Sequence, residues 1–226
     1  MNTIALVVSL CLLCPPAAWI QRRRSDRELA GLAGPVRSVQ VRGYTTLTYS
    51  EGGGLLEEDT LYGTRRTYHY SADGVRVVTV SGAKTPGSGF PLPPYVARRE
   101  ADRYAAGNKV ETVTYLGGEE SAPWLRQTYE YDGEGRVQRE FRYMRDADRH
   151  LKLFHVITYT YDARGDEVEV CWRDAAGALM DRLSYTNYKH DRRGNWVERT
   201  QLRFQVYDKN QPKEQRAIIY RVITYY

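Results

Sequence analysis

The chain has few cysteines, and their positions exclude two kinds of protein. Cysteines occur at 11, 14 and 171 among 226 residues, and the first two lie inside an apolar N-terminal run. Outside that run only Cys171 remains, so the sequence has neither a disulfide framework nor a cysteine-based metal cluster. The four histidines do not have the spacing of a helical metal site either. We therefore expect no metal and no cofactor.

Signatures of catalysis and of nucleic-acid binding are also missing. The sequence has no serine nucleophile elbow, no phosphate-binding loop and no dinucleotide fingerprint. No nucleic-acid motif accompanies the net charge of +5, so we expect no nucleic-acid partner. Six of the 33 basic residues are lysines, which leaves 27 arginines. Arginines on the outer faces of strands oppose edge-to-edge association; the alternative is an anionic partner such as a polysaccharide or a phospholipid.

Tyrosine, in contrast, is abundant. The sequence has nineteen tyrosines against four phenylalanines, together with many threonines and valines. These residues suit half-buried strands, where a ring covers apolar surface while its hydroxyl stays in water. An all-β domain of this size need not be divided. We therefore predict a single β domain over residues 35–226.

A strand, a turn and a second strand recur at 129–137, 159–165 and 188–197. In each copy, ring residues two apart precede Asp-x-x-Gly, which supplies a side-chain acceptor and a glycine with positive φ to a turn. Residues two apart face the same side of a strand, and counting across the last turn pairs His190 with Trp196. The repeat predicts an all-β antiparallel meander of about ten to fourteen strands, forming a curved or rolled sheet.

The N-terminal residues have a different composition. Residues 1–18 carry no charged side chain and have the features of a signal peptide with a cleavage site near Ala18. One alternative is that this segment is retained as a short anchor, which would be the protein's membrane contact. Another alternative is a lipid attached to Cys11 or Cys14.

Two short helices are predicted. Ser25 and Glu28 have the spacing of a capping box, so the linker 19–34 is expected to contain one helical turn. A second short helix is expected over residues 95–106, opened by Pro94 and closed by Gly107.

The repeat resembles the YD repeat of Rhs-type proteins. The motif Tyr-x-Tyr-Asp-x-x-Gly, followed by Val or Trp, carries the resemblance over residues 125–200, most closely at Asp191–Trp196. The segments 29–36 and 220–226 are similar to the ends of small exported YD-repeat-like bacterial proteins. The resemblance implies an exported, bacterial, non-enzymatic β-structure, because the motif carries no catalytic residues.

Aromatic side chains are the candidate binding residues. A sheet face rich in tyrosine and tryptophan binds glycans by ring stacking, with polar neighbours adding hydrogen bonds. The alternative is that the same rings form the core of a thin sheet, and their exposure distinguishes the two. The candidates are Trp124, Trp172, Trp196, Tyr131, Tyr161 and His190.

These observations predict a non-catalytic binding or structural module of the cell envelope, located in the periplasm, at the cell surface or outside the cell. Its partner would be a glycan or another envelope protein, and the final strand over residues 217–226 is a candidate edge for strand pairing. The alternative function is a hydrolase acting on envelope polymers, with carboxylates drawn from Glu57, Glu58, Glu119 and Glu120.

Overall fold

Period-two alternation continues through most of the chain, and a computed structural model shows it as fourteen antiparallel strands. The structure describes residues 23–60, 63–70, 75–81, 95–116, 122–206 and 213–226. The expected signal peptide, with Cys11 and Cys14, lies outside the described residues, as do Glu119 and Glu120. The strands are β1 (Val36–Val41), β2 (Thr45–Tyr49), β3 (Leu55–Thr60), β4 (Arg65–Tyr70), β5 (Val75–Ser81), β6 (Tyr95–Ala105), β7 (Asn108–Leu116), β8 (Leu125–Tyr131), β9 (Val137–Arg145), β10 (Leu151–Tyr161), β11 (Glu167–Asp174), β12 (Leu179–His190), β13 (Trp196–Gln205) and β14 (Lys213–Tyr225).

The sheet closes into a barrel, so the expected open curved or rolled sheet is wrong. Each strand pairs with its neighbours in sequence, and β14 returns to pair with β1. Val39 lies opposite Ile223 in this seam, and the hydroxyls of Ser38 and Thr224 are 2.6 Å apart. The final strand is therefore hydrogen-bonded on both sides and offers no free edge, because closure removes the edges of a sheet.

Three Asp-x-x-Gly sequences, at 132–135, 162–165 and 191–194, form turns at one end of the barrel. The Oδ1 of Asp132 accepts hydrogen bonds from the backbone N–H groups of Glu134 and Arg136, at 3.0 and 2.8 Å. Asp162 and Asp191 make the same pair of bonds in their turns. The glycine that ends each turn has a φ between 76° and 90°. The three hairpins at this end, β8–β9, β10–β11 and β12–β13, thus have the same turn chemistry, and the turn at 174–177 repeats it at the other end.

One of the two predicted helices is present. Helix α1 (Asp26–Leu29) has the expected capping box, in which Ser25 Oγ accepts from the backbone N–H of Glu28 and Glu28 Oε2 accepts from that of Ser25. The helix expected over 95–106 is wrong, because these residues form β6. Pairing with β5 and β7 overrides the local helical tendency, and it turns Glu100 into the barrel, where the residue is 5% exposed.

The barrel interior contains apolar and charged side chains side by side. Leu32, Val36, Val39 and Tyr49 form one apolar cluster, and Ile157, Val170 and Tyr185 form a second. Long arginine and tyrosine side chains lie between these two clusters.

The outer wall carries exposed ion pairs across neighbouring strands. Arg65 pairs with Asp59 at 2.7 Å, with side chains 52% and 41% exposed. Lys189 of β12 pairs with Glu198 of β13 at 2.8 Å. Among the residues that the structure describes, no helix has the length and apolarity needed to cross a bilayer.

Candidate functional site

Residues 24–35, called the cap from here on, lie across the Asp-x-x-Gly end of the barrel. The backbone N–H of Arg24 donates to Gly107 O at 3.0 Å, and that of Arg27 donates to Gly53 O at 2.9 Å. Asn195 holds the other end of the cap, because its side chain accepts from the N–H of Ala33 at 2.7 Å and donates to its carbonyl at 2.9 Å. The cap is therefore attached to turns around the barrel.

A glycine permits the close approach of the cap to the barrel. Gly53 has a φ of 87°, and a Cβ built on it would lie 2.6 Å from Ser25 Oγ and 2.8 Å from Ser25 Cβ. Any side chain here would be strained by the backbone and would also collide with the residue that begins α1.

A group of buried charges lies beneath the cap. This group, called the cap cluster, consists of Asp26, Arg76, Glu100, Asp102 and Lys109. Arg76 bonds Glu100 and lies 3.6 Å from Asp26, while Lys109 Nζ lies 2.9 Å from Asp102 Oδ2. The Asp102 side chain is only 1% exposed. Burial alone would raise the pKa of Asp102, but Lys109 and Arg76 hold that pKa below its ordinary value.

Beside the cap, a cavity of about 210 Å³ opens between the cap and the hairpins β8–β9, β10–β11 and β12–β13. Three of the predicted residues, Tyr131, Tyr161 and Trp196, line this cavity, one from each hairpin. His190 lies next to it, opposite Trp196 as the turn counting predicts, and its Nε2 is 2.8 Å from Oδ2 of the lining residue Asp166. The structure thus brings four of the six candidates to one place.

The hydroxyls of the two tyrosines that line this cavity are already bonded, which fixes the direction of each ring. The hydroxyl of Tyr131 donates to Lys109 O at 2.6 Å, and that of Tyr161 donates to Val137 O at 2.8 Å. Burial raises the pKa of Tyr131 to about 12. Burial also raises the pKa of Tyr161, with Glu167 and Asp132 adding to the effect. Both rings are therefore neutral and fixed in orientation, each anchored to a backbone carbonyl.

Two arginines, called the arginine pair, flank Trp196. The guanidinium of Arg221 lies 3.5 Å from the centroid of the Trp196 ring system, and that of Arg199 lies 4.2 Å from it. Arg199 has a carboxylate neighbour, Glu167, at 3.5 Å. Within the described part of the chain no carboxylate is within ion-pair distance of Arg221, and its Nε is buried without a hydrogen-bond partner. Burial, followed by repulsion from Arg199, lowers the pKa of Arg221 to about 10.

The other two tryptophan candidates lie at the opposite end of the barrel. Trp172 lines a separate cavity of about 210 Å³ together with His155 and Arg203. Trp124 precedes β8, where the guanidinium of Arg145 lies 5.4 Å from its ring centroid. The three tryptophans therefore do not form one continuous binding face.

Sequence reasoning missed Arg199 and Arg221. Their signal lies in the strand register: Arg221 shares a side of β14 with Ile219 and Ile223, which pack inside the barrel. A positively charged residue in the inward register of a strand marks a buried charge that needs a partner.

Of the carboxylates proposed for a hydrolase, Glu57 and Glu58 do not line this cavity, and Glu119 and Glu120 lie outside the described residues. Glu58 accepts hydrogen bonds from Arg66 at 2.9 Å and from Tyr68 at 2.8 Å within the sheet. Its neighbour Glu57 lies on the same strand, β3. The carboxylates that do line the cavity are Asp166 and Glu167. Among the described residues, no group of three or more His, Cys, Asp or Glu side chains is arranged to hold a metal ion.

Comparisons with known proteins give a weak likeness in structure. A porin-like protein from Bacteroides uniformis is similar with a TM-score of 0.48 and 11% identity, over 85% of this chain and 98% of that one. The TcdB2-TccC3 structure is similar with a TM-score of 0.31 and 13% identity, over 82% of this chain and 13% of that one. Both likenesses are too low to transfer a role to this chain.

The sequence comparisons give no assignment. No family model matches the chain, and no curated protein matches it. The YD-repeat and Rhs-like assignment expected from the turns is therefore not supported. Asp-x-x-Gly turns also serve a closed barrel in this structure, so the motif describes a hairpin and does not identify a family.

Proposed function

We propose that the protein is a non-catalytic binding barrel of the cell envelope, and that a single glycan unit binds in the cavity beside the cap. The observation that carries the proposal is the convergence of Tyr131, Tyr161 and Trp196 from three successive hairpins on one cavity. The faces of aromatic rings stack on the apolar faces of sugars. Because the tyrosine hydroxyls are bonded to backbone carbonyls, the rings need no rearrangement to receive a ligand.

The size of the cavity limits the ligand. A cavity of about 150 Å³ accommodates one benzene ring, and this cavity measures about 210 Å³. One six-membered sugar ring with its substituents is therefore the expected occupant, either as a free monosaccharide or as the end of a chain. Polar neighbours such as Asp166 and Arg24 are placed at the lining to bond its hydroxyl groups.

A cavity-filling variant tests this site. Ala30 is exposed, lines the cavity and has a φ of −79°, which a larger residue adopts without strain. We expect Ala30→Phe to abolish glycan binding, measured by calorimetry with a panel of monosaccharides and oligosaccharides. The matched control is Ala176→Phe, in an exposed turn at the other end of the barrel. Binding that is unchanged in Ala30→Phe would place the ligand elsewhere and contradict the proposal.

The location in the envelope is supported by the N-terminal apolar run that ends at Ala18. The ion pairs on the outer wall support a wall that faces water, since an arginine facing lipid at the bilayer midplane costs about 2–4 kcal/mol. Mass spectrometry of the protein from fractionated host cells tests both statements. An intact Met1 on a cytosolic species would contradict export.

The hydrolase alternative now depends on Asp166 and Glu167, which line the cavity. Glycan turnover by the wild-type protein that is lost in Glu167→Gln, with binding retained, would establish a hydrolase. Binding without turnover supports the non-catalytic proposal.

A further inference from the structure

The charge in the cavity is unbalanced. Three arginines and two carboxylates line it: Arg24, Arg136, Arg221, Asp166 and Glu167. The guanidinium of Arg199 lies 4.2 Å from the centroid of the Trp196 ring system and adds a further positive charge near the cavity. Within the described chain, Arg136 bonds Asp132 and Glu134, and Arg199 has Glu167 as a neighbour. Among the described residues Arg24 has no carboxylate beside it either, but its guanidinium donates to Asn108 Oδ1 and to the carbonyls of Gly135 and Glu28. Arg221 is therefore the lining arginine that has, within this part of the chain, neither a carboxylate nor a hydrogen-bond acceptor at its Nε.

A buried guanidinium without a countercharge is unusual in a folded protein. Buried charges are normally paired, because an unpaired one loses its hydration without compensation. Arg221 stacks on Trp196, but a ring face does not satisfy its N–H groups, and its Nε is left without a partner. The Nε of Arg199, on the same ring, is also buried without a partner. Of these two arginines Arg221 lines the cavity, and a guanidinium there without a carboxylate partner is a site for an oxyanion.

We infer that the ligand of this cavity is an acidic sugar, a uronic acid. Its carboxylate binds Arg221 while its ring stacks on the aromatic side chains that line the cavity. This inference rests on the proposed function and specifies its ligand class. It adds a role for Arg221 that ring stacking alone does not require.

A single carboxylate fits better than a phosphate. Glu167 and Asp166 lie at the same wall as Arg221, and they repel a dianionic phosphate more strongly than a monoanionic carboxylate. The planar guanidinium fork also matches the two oxygens of a carboxylate in a bidentate arrangement.

The direct test compares each acid with its neutral counterpart on the wild-type protein. The probes are galacturonate beside galactose and glucuronate beside glucose, titrated by calorimetry, with inorganic phosphate as a further arm. We expect at least one uronate to bind ten times or more tighter than its neutral partner. We also expect this preference to weaken as salt is raised, because salt screens the charges.

Two variants test whether Arg221 is the source of the preference for the acidic sugar. Arg221→Gln should abolish the preference for the acid, so that each uronate binds no tighter than its neutral partner. The matched control is Arg216→Gln, an exposed arginine on the same strand, which removes the same net charge and should leave the preference unchanged. Thermal unfolding of each variant shows whether the barrel is intact. If Arg221→Gln does not fold, Arg221→Met replaces it in the same titrations.

The outcomes separate the two proposals. Equal binding of acidic and neutral sugars would overturn the uronate inference and leave the glycan cavity standing. Phosphate that binds more tightly than either uronate would also overturn it. If none of the five probes binds, the uronate inference fails, and binding of another glycan that is lost in Ala30→Phe would still support the cavity.

Discussion

Two groups of buried charges lie in this barrel, and they differ in how their charges are paired. In the cap cluster each basic side chain has carboxylates beside it: Arg76 lies against Glu100 and Asp26, and Lys109 against Asp102. In the arginine pair, Arg199 and Arg221 flank one tryptophan with a single carboxylate 3.5 Å from Arg199. Both groups are largely withdrawn from water.

The difference indicates what each group does. Burial penalises a charge, and only close partners offset that penalty. The cap cluster has those partners within the chain, and Asp26 ties it to the cap by accepting from the N–H of Leu55 and the hydroxyl of Tyr70. It therefore holds the cap in place. The arginine pair has one carboxylate beside it, at Arg199, and this lack of countercharge is the reason why we propose an anionic ligand for it.

The largest effect is expected from Lys109→Met. The substitution leaves Asp102 with its side chain 1% exposed and its nearest cation removed. Removing one partner of a buried ion pair costs about 3–5 kcal/mol, so we expect a loss of about 3 kcal/mol in the free energy of unfolding. Urea denaturation followed by circular dichroism measures it. A change too small to measure would show that the cap cluster does not stabilise the barrel.

The pH dependence of stability is the second test of the cap cluster. The pKa of Asp102 is lower in the folded chain than in the unfolded one, where it is about 3.9. Its ionised form therefore contributes stability above about pH 4, and that contribution is lost as the pH falls through the lower, folded pKa. We expect the difference in unfolding free energy between wild type and Asp102→Asn to shrink between pH 5 and acid pH. A constant difference would contradict the role of the carboxylate charge.

Removing a charge from the arginine pair should not destabilise the barrel, in contrast to removing one from the cap cluster. The pKa of Arg221 falls from 12.5 to about 10, so its charge opposes folding at neutral pH. Its contact with Trp196 returns up to about 2 kcal/mol. We expect Arg221→Met to leave the unliganded protein as stable as the wild type or about 1 kcal/mol more stable. A loss as large as that of Lys109→Met would mean that Arg221 is a structural residue.

The smallest effect is expected outside the barrel. Arg65 and Asp59 form an exposed pair on the outer wall, where water and salt screen the attraction. Arg65→Ala should therefore leave the unfolding midpoint within the error of the measurement. A clear loss of stability in this control would weaken the contrast between buried and exposed charges.

Part of this structure follows from local sequence. The Asp-x-x-Gly turns, the capping box at Ser25 and the pairing of His190 with Trp196 depend on residues within about ten positions of one another. Strand alternation has a fixed period, so ring residues two apart lie on one face of their strand. Whether that face is inside the barrel depends on closure.

The rest depends on contacts between distant residues. Closure joins β1 to β14, and no local pattern distinguishes a paired final strand from a free one. Residues 95–106 have helical spacing, yet β5 and β7 pair with them as a strand. Arg221 becomes a site residue only when closure brings β14 to the cap, and the tryptophans at 124 and 172 are separated from it by the length of the barrel.

Both charge groups depend on barrel closure, because the cap precedes β1 and Arg221 is on β14. The direct measurement is a disulfide between Ser38→Cys and Thr224→Cys, which are paired across the seam with hydroxyls 2.6 Å apart. After oxidation and trypsin digestion, we expect one linked species joining peptides 38–42 and 222–226 in the mass spectrum, and a higher unfolding midpoint. Two unlinked peptides, or linkage only between separate molecules, would contradict a closed barrel.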